Sequence, residues 1–87
     1  MRTIEKKVLA EYYDALLDGT KTFELRIADF ECEPGDKLIL KEWDPTRKQY
    51  TGRELQKEAT YVLITKDIDF LTNEDINTYG YQVISLK

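Results

Sequence analysis

The sequence predicts an α+β fold in which about five strands curl into a small β-barrel, with one main helix before the second strand. Three observations lead there. Residues 22–27 alternate strictly between polar and apolar, the period of a strand with two unlike faces. Tyr12, Tyr13, Leu16 and Leu17 repeat as i, i+1, i+4, i+5, the stripe of an amphipathic helix. The chain has 87 residues, which fit one domain but cannot fill a deep two-layer sandwich. A single sheet curled against a helix buries the most apolar area and leaves the fewest bare edges.

Taken in order, Thr3 to Leu9 is extended and leads into a helix over Ala10 to Asp18. Gly19 follows at the position where a left-handed residue costs least. Thr22 to Ile27 is the alternating strand, with Phe23, Leu25 and Ile27 on one face and Thr22, Glu24 and Arg26 on the other. Pro34, Gly35 and Asp36 form a turn. Lys37 to Trp43 is the next strand, with Leu38 and Leu40 opposed to Ile39 and Trp43. A loop runs from Asp44 and is closed by Tyr50, Thr51, Gly52 and Arg53. Leu55 to Thr65 is a long strand, residues 67–79 are polar and irregular with Thr72 capping a short turn, and Tyr81 to Leu86 is the last strand.

The formal net charge is −4, which argues against sequence-independent binding to a polyanion but leaves room for a local basic cleft. There is no histidine, and Cys32 is the one cysteine. That excludes an internal disulfide, a zinc site of His and Cys ligands, and Ser-His-Asp or Cys-His catalysis. Neither a metal nor a cofactor is expected. Glu31 and Glu33 flank Cys32 and should raise the thiol pKa, making it inert. Asp67, Asp69, Glu74 and Asp75 read as a solvated acidic loop. No run approaches the ~20 apolar residues of a membrane span, and residues 1–8 carry no apolar signal segment. The expectation is a cytoplasmic protein without a membrane partner, with a monomer favoured.

The densest polar feature is the segment Gly19-Thr20-Lys21-Thr22-Phe23-Glu24-Leu25-Arg26. Glu24 and Arg26 are two apart on a strand and so share a face, with Lys21 at its entrance. Two cations beside one carboxylate suit an anion, or a base edge that offers both donors and acceptors. The plain alternative is a solvated face carrying an ordinary ion pair. Trp43 and Tyr50 are candidates for stacking on a base, and Arg53 for a phosphate contact; each also has an ordinary packing or turn role. Gly19, Gly35, Asp36 and Gly52 are assigned to turns.

The pattern G-x-K-x-x-E-x-R after a short helix resembles the signature of the ASCH domain, in the PUA-like superfamily. The likeness continues through Tyr12 to Arg26, then Pro34 to Leu38, Lys41-Glu42-Trp43, Tyr50 to Arg53, Thr60 to Leu63 and Tyr79 to Leu86. These blocks are similar, in the same order, to a small bacterial and phage ASCH-like subfamily. The resemblance implies a PUA-like barrel and a cleft between barrel and helix that binds RNA or a nucleotide. Its ligand-binding residues would be Lys21, Glu24 and Arg26.

Two stretches depart from the subfamily. Glu5-Lys6-Lys7-Val8 stands where His-x-Leu-Lys is usual, and Ile27-Ala28-Asp29-Phe30 where Lys-Asn-Asp-Arg is common. Some relatives resemble small amidohydrolases acting on acylated cytidines, with a Thr nucleophile two residues before the motif arginine. Here that position is Glu24, which cannot supply a hydroxyl. A hydrolase with Glu24 as general base and Lys21 as oxyanion partner is one alternative, and a protein-interaction domain is another. Because two cations weaken a neighbouring carboxylate as a base, binding is favoured over catalysis.

Overall fold

The structure is a computed structural model and describes residues 1–65 and 74–87. Its elements are β1 (Thr3–Leu9), α1 (Ala10–Asp18), β2 (Phe23–Ile27), β3 (Lys37–Asp44), β4 (Gln49–Ile64), α2 (Glu74–Thr78) and β5 (Tyr81–Leu86). Strand β4 organises the rest. Its first part pairs antiparallel with β3 up to Glu58, and its second part, from Ala59, pairs antiparallel with β5. A bulge between Ala59 and Tyr61 falls where β4 changes partner, and bulges bend a strand and increase its twist. The result is one curled mixed sheet of order β1-β3-β4-β5-β2, with β1 parallel to β3.

The sheet is not closed into the barrel that the sequence predicted. Strands β1 and β2 are its two edges, and among the described residues no backbone ladder joins them. The gap is occupied by polar side chains of β2, described below, in place of a ladder. A second difference lies in β4, which begins at Gln49 rather than Leu55. Residues 49–54 carry no apolar alternation, yet the β3 ladder and an edge-on Trp43–Tyr50 contact hold them extended. The sequence expectations for Thr72, Asp67 and Asp69 lie outside the described residues.

Helix α1 packs against β1 and β3. Tyr13 and Leu16 are buried, while Tyr12 and Leu17 look outward. Adjacent helical residues point about 100° apart, so a Tyr-Tyr pair at the margin of the stripe splits between core and surface. Gly19 ends the helix at φ 85°, in the left-handed region that disfavours side chains. Leu16 joins Val8, Leu38, Leu40, Ala59, Ile84 and Leu86 in the core. Asp36 closes the turn before β3: its carboxylate accepts hydrogen bonds from the Arg2 and Glu33 amides and the Arg2 guanidinium. Those bonds hold its carboxyl below the usual range and tie the start of β1 to the turn before β3.

An amphipathic strand ordinarily buries its apolar side. Strand β2 does the reverse. Its ladder with β5 sets Glu24 opposite Ile84 and Arg26 opposite Gln82, both fully buried, so the charged face turns inward. Phe23, Leu25 and Ile27 are left 46%, 58% and 47% exposed. Among the described residues no helix is long and apolar enough to cross a membrane, a statement about helices alone.

Leu16 has no exposed surface and anchors the helix to the sheet. Leu16→Ala is expected to cost about 2–5 kcal/mol, measured as a lower urea midpoint with an unchanged slope.

Candidate functional site

The turn after α1 delivers the site. The Thr20 hydroxyl donates to Asp18 and approaches the Ala15 carbonyl, and the Lys21 amide donates to that same carbonyl. This fixes where the chain enters β2, and with it which side chains face inward.

Glu24 is 3% exposed. A carboxylate so far from water must be paired, and each of its oxygens takes one cation. Lys21 Nζ donates to Oε1 at 3.3 Å, and Arg26 Nε donates to Oε2 at 2.9 Å. Arg26 also reaches across the open edge, where its Nη2 donates to the Lys7 carbonyl on β1 at 2.6 Å. One guanidinium therefore bridges the seam between β1 and β2. Lys21 Nζ lies 5.0 Å from the centre of the Tyr12 ring and 5.1 Å from that of Phe23, in reach of cation–π attraction to both.

Beside the seam opens a cavity of about 430 Å³. Lys7, Lys21, Glu24 and Arg26 form its polar lining; Val8, Leu9, Tyr12, Phe23 and Leu25 form its apolar walls. The structure thus brings Lys21, Glu24 and Arg26 together at a concave site.

Trp43, Tyr50 and Arg53 are not part of that cavity. Trp43 and Tyr50 meet edge-on with centroids 5.0 Å apart, and Lys7 Nζ stands 3.8 Å over the Trp43 ring, so this pair adjoins the cavity through Lys7. Arg53 lies with Tyr50 at a separate, smaller concavity and also ties the fold together. Its Nε and Nη2 donate to the two oxygens of buried Glu42, Nη2 also donates to Asp14 on α1, and its guanidinium covers the Tyr13 ring. Thr51 adds a hydroxyl to Glu42. These bonds lower the Glu42 pKa to about 2, the Arg53 bonds first and Thr51 second, and they raise that of Arg53. Cys32 is buried, and burial ahead of the nearby Asp36 charge pushes its thiol up. The flanking glutamates were the cause expected from sequence; of the two, only Glu33 contributes, after burial and Asp36.

Lys7 and Leu9 line the cavity without having been singled out for it. A backbone carbonyl acting as an acceptor leaves no mark in a sequence, so the part played by Lys7 has no local signal. Tyr12 had a signal, since only one of two adjacent tyrosines on a helix margin can be buried.

A family model described as a domain of unknown function, DUF3850, matches residues 3–85. The chain belongs to the DUF3850 family. It is 40% identical over 63 residues to an uncharacterised 12.9 kDa protein in the GpA 3′ region of Escherichia phage P2. That match covers 72% of this chain and 56% of the phage protein, so the chain spans little more than half the length of this curated relative. Among solved structures, the crystal structure of hypothetical protein PH0355 superposes with a TM-score of 0.68. The superposition covers 98% of this chain and 97% of the other, at 17% identity. At that identity the likeness speaks for the fold alone. This DUF3850 member thus has relatives whose names state no activity.

Two outcomes follow from the geometry. Removing the guanidinium that spans the seam, as in Arg26→Met, should raise exchange of the Lys6 and Val8 amides, which face β3, by about tenfold or more, read by NMR. Glu42 has a depressed pKa, so it contributes stability above its ordinary value of 4.5, and that contribution fades as pH falls toward about 2. Arg53→Gln should be less stable at neutral pH and lose less between those limits, as followed by urea midpoints across pH.

Proposed function

We propose that this DUF3850 chain is an ASCH-like, PUA-type module that binds a nucleotide or a short single-stranded RNA at the β1–β2 seam. The observation that carries the reading is a buried carboxylate held between two cations in the wall of a cavity with flat aromatic sides. The volume of about 430 Å³ lies in the range of small-molecule sites. Tyr12 and Phe23 offer faces on which a base stacks. Lys21 and Arg26 retain donors for phosphate or base acceptors. Each Glu24 oxygen accepts one bond and keeps a further lone pair, which suits an exocyclic amino group.

Catalysis is the weaker reading. A general base must be free to take a proton from water, whereas both Glu24 oxygens are hydrogen-bonded to cations. Binding uses the site as it stands.

The length of the ligand is also testable. Trp43 and Tyr50 lie outside the cavity but adjoin it through Lys7, so we expect an RNA that runs past the cavity to reach them. The experiment is calorimetric titration with nucleoside 5′-monophosphates and with short single-stranded RNA. Lys21→Ala and Tyr12→Ala should each weaken binding of both by about tenfold. Tyr50→Ala should weaken the RNA alone. No heat and no chemical-shift change with any of these probes would overturn the proposal.

A further inference from the structure

The outer face of the β4-β5-β2 half of the sheet is apolar and open to solvent. Three cross-strand rows compose it. Tyr61, Ser85 and Phe23 form the first; Leu63, Val83 and Leu25 the second; Tyr81 and Ile27 the third. Tyr61 is 63% exposed and Leu63 41%, and no formally charged side chain falls in these rows. The face arises from the inversion of β2: with Glu24 and Arg26 turned inward, the apolar half of the strand has nowhere else to go.

We propose that this face is the contact of a symmetric dimer, covered by the same face of a second copy of the chain. Area is the first argument. The six large side chains, with Phe23 and Leu25 at the cavity rim included, present roughly 600 Å² of accessible surface, at the top of what a soluble monomer ordinarily leaves in one patch and below the ~800 Å² per partner of a standard interface. Two copies stacked sheet on sheet therefore reach the lower bound for a specific association, before any rim contact is counted. Charge is the second argument. Each copy carries a net charge of −4, and an uncharged face is where two such copies meet with the least repulsion. A charged partner, by contrast, finds no group in these rows with which to pair. A two-fold contact also needs a self-complementary patch, which a twisted apolar sheet face supplies to its own copy. The arrangement differs from the monomer favoured by the sequence, and because Phe23 and Leu25 also line the seam cavity, the contact borders the cavity mouth.

Tyr61 and Leu63 belong to this face and lie outside the cavity, which separates the two sites experimentally. Sedimentation equilibrium across micromolar to submillimolar concentrations should give a particle of twice the 10.3 kDa chain mass. Leu63→Glu, and independently Tyr61→Lys, should return the mass of one chain while preserving the circular-dichroism spectrum and the cooperative thermal transition. Leu63→Met should keep the dimer. If one charged variant fails to fold, the other decides. A wild-type chain that stays monomeric throughout, including one that associates only with a different protein, overturns the proposal. So does a dimer that survives both charged substitutions.

Discussion

The structure depends on one buried ionic contact. Glu24 sits under β2 almost without water, and its two oxygens are taken by Lys21 and Arg26. An isolated carboxylate there would cost several kcal/mol, so the cations are a condition of the fold rather than an ornament. The same contact does three things. It turns the polar side of β2 inward, it aims Arg26 at the β1 edge, and it lines the cavity with donors and an acceptor. Strand pairing, seam and candidate site are thus consequences of one arrangement.

The seam explains why a sheet with this curvature stays open. A closed barrel satisfies its edges by backbone pairing. Here a guanidinium bonded to the Lys7 carbonyl does part of that work from the side-chain side. A side-chain bridge leaves room beside it, and the cavity occupies that room. The middle of α1 is held differently, by Arg53 clamped between Glu42 and Asp14 with its face on Tyr13. The two arginines therefore have unlike roles. One bridges the seam beside the larger cavity, and the other joins helix to sheet.

Much of the fold was legible because its local signals agree. The helix over Ala10–Asp18, its glycine stop and the last strand follow from periodicity and turn chemistry. The β3 faces also lie as the alternation reads, with Leu38 and Leu40 inward and Trp43 on the other side. The misses share a physical cause. The first residues of β4 are mostly polar and held by pairing with β3, which no local pattern records. Whether a curled sheet closes depends on how two edges far apart in sequence meet. At the site, the spacing of Glu24 and Arg26 placed both on one face, and Lys21 at the turn placed it beside them. Arg53 carried a partial signal in the acidic Glu42 and Asp14, but only the tertiary fold brings those carboxylates to it.

The central claim is that Glu24 and Arg26 act as one unit across the seam. A double-mutant cycle of Glu24→Gln, Arg26→Met and the pair, read as unfolding free energy in urea, addresses it most directly. Strong non-additivity is expected, with a coupling of at least about 1 kcal/mol, because either single change strands a charge that the double change removes. Additive effects, within about 0.5 kcal/mol, would contradict it and leave the inward face of β2 without its organising contact.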